Sequence, residues 1–377
     1  MTSTVDIRTA SMRDTRRVVQ SLLLPLLAQG PVRRRPWAVR LAARWDLDRR
    51  GADLLHELAG RYGEGPLRLR IPGRTVVLVL SASDVRHLLI EPALAPRGVR
   101  RRQRRELNEQ VLDTGQPHHR LGHVFNAVVA EEIGRLLERG NPLGWSDFAT
   151  AHRRLTRRIV LGDPAAGDDR LWRYLGRPSR QRLLAARVGR YLRDPDPYSL
   201  AGLLRTVPVP PGVDPAGQVP NWLSAFDAVG AATFRTLALI VASGDGGAVA
   251  RDPRHLRACV QESLRLWPTT PVIRRDDPAT ASFVVLSSYF HRHRSLPYAD
   301  RFAPETWLDG RAEVEPGIVP FGAGPTRCPG EDLVLFVATS ILAELLRDRA
   351  WRLDSPQWNV EALPRTVDHT AIRLSWT

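Results

Sequence analysis

Phe321-Gly322-Ala323-Gly324-Pro325-Thr326-Arg327-Cys328-Pro329-Gly330 is the stretch on which the reading of this chain turns. It sets one cysteine in a loop rich in glycine and proline, immediately before residues 331–346, which pattern as a helix. Glycine lets the backbone approach closely and adopt dihedrals closed to other residues. The N–H groups of a helix start favour negative charge, so a thiolate is favoured at such a place. Pro329 removes one donor but is tolerated at a helix start. From placement alone three readings stand: a metal-bound thiolate, a nucleophile, or an inert buried thiol.

Upstream, Glu262-Ser263-Leu264-Arg265 has the form E-x-x-R within a helical run, 257–266, that Pro268 stops. Residues three apart share a helix face, so this carboxylate and guanidinium can pair. Residues 222–241 are apolar nearly all round, which places that helix at the centre of a fold. Residues 67–71 alternate, 72–74 read as a turn and 76–80 are apolar, the pattern of a β-hairpin. Ser83 is a plausible cap for the helix that follows. Residues 100–242 are mostly helical in period, 283–287 read as a strand, 297–321 as an irregular meander, and 362–376 as strands and a turn. The sum is a mainly α chain with a small β part near both ends.

The 377 residues, 43% hydrophobic and 25% charged, describe a folded globular protein able to bury a large core. The formal net charge is +15, and no lysine occurs, so the 55 basic residues are all arginine. That bias fits a GC-rich bacterial genome, with the charge spread over solvated faces. A functional reading of the basicity is a docking face for an acidic partner. Two cysteines, Cys259 and Cys328, exclude a disulfide framework and suit a reducing, cytoplasmic setting. The apolar stretch 21–28 is short and contains Pro25, so no membrane anchoring is expected.

Phe321, Gly324, Cys328 and Gly330 fit the pattern F-x-x-G-x-x-x-C-x-G, and in this the chain resembles the cytochromes P450. The order of E-x-x-R helix, meander, cysteine loop and final helix is also that family's order. The resemblance implies a cytochrome P450 fold in a single haem domain over residues 1–377, with 1–60 an N-terminal helical segment and 61–377 carrying the likeness. It implies haem b, iron protoporphyrin IX, as cofactor, with Cys328 as the axial ligand pushing electron density onto iron. It implies that Arg301 completes a structural triad with Glu262 and Arg265, and that His118 and Arg274 hold haem propionates. The run Arg100 to Glu106 reads as a solvated basic face. In the central helix Gly230 and Thr233 fit the oxygen-binding pattern, while Ala232 stands where the family carries an acid. Asp227, six residues before Thr233, lies off its face.

The implied activity is oxidation of a small organic molecule with dioxygen. Electrons would come from a separate ferredoxin and ferredoxin reductase, since no flavin domain is read in the chain. Natural-product tailoring is the expected setting. The segments 90–115 and 275–283 are short for the family, which predicts an open pocket suited to a large or carrier-tethered substrate. Residues 363–369 read as either a second substrate-facing loop or an exposed turn. Ala232 motivates one rival: peroxide-driven oxidation, rearrangement or coupling, or a catalytically silent partner. A basic nucleic-acid binder is a second rival. It is disfavoured because the aromatics do not interleave with the arginine runs as stacking platforms, so no nucleic-acid partner is expected.

Overall fold

A computed structural model describes residues 7–30, 35–73, 75–90, 99–112, 120–250, 252–276 and 281–377. The chain forms two compact units, both discontinuous: one from residues 1–97, 261–328 and 359–368, the other from 98–260, 329–358 and 369–377.

The first unit opens with strand β1 (Arg8–Thr9) and helix α1 (Met12–Val18). Ser11 caps α1, its Oγ accepting from the Asp14 N–H at 3.0 Å. A π-helical turn at Val19–Leu23 joins it to α2 (Leu24–Gln29), followed by α3 (Pro36–Arg44) and α4 (Leu47–Tyr62). Gly63 stops α4 at φ 86°, a left-handed value that favours glycine. Strands β2 (Leu67–Leu69) and β3 (Val76–Leu78) form the expected hairpin, with Leu67 opposite Leu78. Leu67 and Leu69 are buried and Arg68 is exposed, as the alternation requires. Helix α5 (Ala82–Ile90) follows, beginning one residue before Ser83, so that serine is not its cap.

In the second unit lie α6 (Val99–Leu112), α7 (Gly122–Glu138), strand β4 (Leu143–Gly144) and α8 (Trp145–Leu161). Three shorter helices, α9 (Arg170–Tyr174), α10 (Gln181–Arg193) and α11 (Leu200–Leu203), lead to the central α12 (Val219–Ser243) and to α13 (Gly246–Val249). Helix α14 (Pro253–Leu266) carries the E-x-x-R run. Returning to the first unit, β5 (Val272–Asp276) pairs antiparallel with β6 (Ser282–Leu286), so a hairpin forms despite the short segment. Then come α15 (Ser287–Phe290), α16 (Glu305–Leu308) and α17 (Arg311–Val314). The second unit closes with α18 (Glu331–Leu346), β7 (Trp351–Ser355) and β8 (Arg373–Trp376).

The first unit's sheet has the order β1-β2-β3-β6-β5. Its parallel step sets Val76–Leu78 beside Ser282–Val284, joining segments some two hundred residues apart in the chain. Leu55 and Leu58 of α4, Val85 of α5 and Val285 of β6 fill the core against it. In the second unit α7, α8, α12 and α18 pack on one another, beside the sheet β4-β8-β7. Residues 215–243 are long and apolar enough to span a bilayer, but 67% of their most apolar window is buried inside the protein. The all-round apolar pattern of α12 therefore marks a core helix. Phe234 of α12 stacks on Phe148 of α8 at 4.9 Å between ring centroids, and both are buried.

Phe234→Ala is expected to cost about 3–5 kcal/mol, read as a shift of the denaturant midpoint with unchanged slope.

Candidate functional site

The cysteine loop is shaped by two constraints on its glycines. Gly322 and Gly324 take φ 76° and 55°, in the left-handed region. At Gly324 a Cβ would lie 2.9 Å from the Ile90 Cα and the Leu89 carbonyl oxygen, so the end of α5 leaves no room for a side chain. Gly330 is different: its φ is −96°, and a Cβ there would meet Leu112 at an ordinary 3.4 Å. A single 3₁₀ turn spans Gly324–Thr326, and the Cys328 N–H donates to the Phe321 carbonyl at 2.8 Å, closing the loop. Cys328 is half-buried with its thiol at the loop's end, whereas Cys259 is fully buried. The acidic first turn of α18 carries Glu331 and Asp332, and Asp332 pairs with Arg257.

Upstream, Glu262 and Arg265 are both completely buried and pair bidentately at 2.7 and 2.8 Å. The Glu262 carboxylate also accepts from the Ala303 N–H and from the Trp307 indole N–H, each at 2.9 Å. The guanidinium of Arg265 donates to the carbonyls of His291, Tyr298, Ala299 and Arg301. This corrects the expected role of Arg301. Its side chain turns outward to Glu305 at 2.8 Å, and only its carbonyl joins the network. The lone pairs that a second guanidinium would fill are taken by a backbone N–H and an indole.

Sequence reasoning missed Arg292. It is buried, and it donates to the Asp300 carboxylate and to the carbonyls of Leu363 and Pro364. Burial pulls its pKa down to about 10, opposed by Asp300, so it stays charged at neutral pH. Residues 363–366 are therefore not an exposed turn. Leu363 is buried, Trp267 donates its indole N–H to the Pro364 carbonyl, and Thr366 is held by Asp46 and Asp48. His291, also buried, accepts the Val319 N–H on Nε2 at 3.0 Å and so fixes the approach to the cysteine loop.

On α12, Gly230 does not open a groove. A Cβ there would stand 2.7 Å from Nδ1 of His152, so glycine is needed to seat the imidazole of α8. The space beside Gly230 is thus filled by a ring. Thr233 is buried and its hydroxyl donates to the Val229 carbonyl one turn back, at 2.9 Å. Ala232 is buried without an acid to offer. Asp227 is engaged by the Trp172 indole N–H at 2.8 Å and by Arg153 at 3.3 Å.

Of the two expected propionate partners, His118 lies outside the described residues. Arg274 is exposed on β5, and the strand's alternation sends its neighbour Arg275 the other way, where burial lowers its pKa. In the arginine run of α6, Arg104 is exposed and Arg105 pairs with Glu109 one turn on, as a solvated face would.

Residues 254–365 match the family profile described as Cytochrome P450. The fold aligns with a 6-coordinated cytochrome P450 from Thermus thermophilus at a TM-score of 0.63 and 19% identity, over 86% of this chain and 98% of that one. It aligns with the retinoic acid bound cyanobacterial CYP120A1 at 0.66 and 17% identity, over 86% and 94%. The fold is that of a cytochrome P450. The likeness read from the cysteine loop is thus borne out. Among curated P450 relatives, cyclooctat-9-en-7-ol 5-monooxygenase of Streptomyces melanosporofaciens is 35% identical over 113 residues, 26% of this chain and 24% of the relative. Cytochrome P450 4c3 of Drosophila melanogaster is 27% identical over 135 residues, 32% and 24%. The matched stretch spans about a quarter of each relative's length.

Cytochromes P450 bind haem, and the residues present fit it. Among the described residues no group of three His, Cys, Asp or Glu could hold a bare metal ion. A lone thiolate suits an iron whose other ligands come from a macrocycle. The loop delivers that sulfur on a rigid, glycine-dependent turn.

Glu262→Gln leaves Arg265 buried without its counter-charge and is expected to lower stability by about 3–5 kcal/mol, measured by chemical denaturation. Acid should destabilise the fold through its neutral histidines. Burial holds His152 down to about 4 and His291 to about 3, against an ordinary 6.5. The unfolded chain then binds protons first, so stability is full above pH 6.5. It should fall by ~1.4 kcal/mol per pH unit for each such histidine as pH drops toward the folded values. His152→Gln should flatten that slope in melting curves taken across the range.

Proposed function

We propose that this protein is a haem-thiolate oxidoreductase, a monooxygenase of small organic molecules. The observation that carries the reading is the half-buried Cys328 on a loop that two left-handed glycines and the close end of α5 hold in one shape. Bound there, haem would supply dioxygen activation. The chain's own part would be to present the Cys328 sulfur on a turn of fixed shape, closed by its backbone N–H on the Phe321 carbonyl. We propose that the two compact units act together as one haem domain, with Arg275 rather than Arg274 as the propionate partner on β5.

Thr233 would act through its hydroxyl oxygen, which accepts from a water while its O–H donates to the Val229 carbonyl. With Ala232 in the adjoining position and Asp227 tied to Trp172 and Arg153, protons would come from water or from substrate groups. That arrangement favours a second reading: peroxide-driven oxidation, rearrangement or coupling at the same cysteine. Electrons for the first reading would come from an acidic ferredoxin and its reductase, which the net charge of +15 suits by complementarity. The substrate class is natural products, supported by the names of relatives such as the Streptomyces monooxygenase and drimenol monooxygenase of Persicaria hydropiper.

The test is spectroscopic. The purified, reduced protein with CO should show the red-shifted Soret band of a thiolate-ligated haem, and Cys328→Ala should abolish it while Cys259→Ala leaves it intact. An unshifted band in the unsubstituted protein overturns the assignment. Turnover with ferredoxin and NAD(P)H, set against turnover with peroxide alone, then separates the two chemistries.

A further inference from the structure

Helix α3 presents an unusual outer stripe. Trp37, Leu41 and the C-cap Trp45 are 56%, 41% and 50% exposed, and Arg40 and Arg44 stand exposed between them. Positions 37, 40, 41, 44 and 45 follow the three- and four-residue spacing of one helix face. The opposite stripe is made of small residues, Ala38, Val39 and Ala42, buried against the protein. Helix α2, which packs beside α3, adds the exposed Leu24 and Leu27. Among the described residues, nothing covers this exposed apolar surface.

The charge on the stripe itself is of one sign, Arg40 and Arg44; of the other arginines nearby in sequence, Arg17 pairs with Asp14 and Glu57, and Asp46 directly follows Trp45. Arg40 and Arg44 have no carboxylate partner among the described residues. Aromatic and cationic side chains alternate over roughly 12 Å of helix, at 1.5 Å per residue. A partner must therefore offer an apolar layer and negative charge at every turn, and must meet a convex helix rather than fill a groove. A phospholipid interface has that composition throughout. Indoles rest at headgroup depth, leucine reaches the acyl boundary, and arginine stems lie along the apolar layer with their heads at the phosphates.

We propose that α3, with the adjoining face of α2, docks this protein onto an anionic membrane surface, lying in the headgroup plane. The run 21–28 is too short to cross the bilayer and carries Pro25. The proposal does not depend on the haem assignment.

Co-sedimentation of the full-length protein with two kinds of vesicle tests it: phosphatidylcholine alone, and equal parts phosphatidylcholine and phosphatidylglycerol. Binding is expected to the second kind, to weaken with added salt, and to weaken roughly fivefold for each of Arg40→Gln and Arg44→Gln. The combined variant Trp37→Ser, Leu41→Ser, Trp45→Ser should lose binding with an unchanged circular dichroism spectrum. Lipids brominated on their acyl chains should quench tryptophan fluorescence in the unsubstituted protein and not in that variant. Three results overturn the proposal: no sedimentation with the anionic vesicles, equal binding by the triple variant, or a stripe that drives only a concentration-dependent dimer or capture of an acidic protein. If the three apolar changes disturb folding, the two arginine variants still decide, since equal binding by both would refute it.

Discussion

The buried pair of Glu262 and Arg265 is the constraint on which the cysteine loop's surroundings depend. Two charges without exposure are tolerable only when every lone pair and proton is used. Here the carboxylate takes four N–H donors and the guanidinium spends the rest of its protons on the His291 carbonyl and on three carbonyls of the meander. The network thereby holds His291, whose Nε2 accepts the Val319 N–H, and Val319 leads directly into Phe321. Phe321 closes the loop on Cys328. One ion pair thus reaches the cysteine through four short links, each a hydrogen bond or a peptide segment.

The fold was legible where periodicity and punctuation coincide. Leu67 to Leu80 carry a hairpin's alternation and turn, residues 331–346 form the helix they pattern as, and the apolar run near Trp222 is a core helix. Cys328 was legible because glycine, proline and cysteine at fixed offsets are rare together. What sequence could not reveal is which arginine is buried. In a chain whose every cation is arginine, Arg265, Arg292 and Arg301 look alike. Only tertiary contact separates the two that are buried from the one that turns to Glu305. Trp307 offered no signal either, since an indole substituting for a guanidinium beside Glu262 is a matter of geometry.

Helix α12 shows the same limit at a finer scale. A glycine three residues before a threonine reads as an opening, but the imidazole of His152 occupies the space. Close approach between α8 and α12 is what glycine supplies there. Asp227, the acid that sequence offers nearest to Thr233, is spent on Trp172 and Arg153 and so anchors α12 to α9 and α8. The helix is tied at this point by packing and charge together, and the hydroxyl of Thr233 is satisfied within its own helix, one turn back.

The parallel pairing of Val76–Leu78 with Ser282–Val284 bears on how the chain comes off the ribosome. Residues 1–97 make up only the opening share of their unit, which waits for 261–328 and 359–368. At about 5–20 residues per second the central stretch of the sheet stays unpaired for roughly 10–40 s of synthesis. During that interval the edge of β3 is open to any extended strand nearby. The first unit's sheet can therefore close only once translation has passed the distant strand.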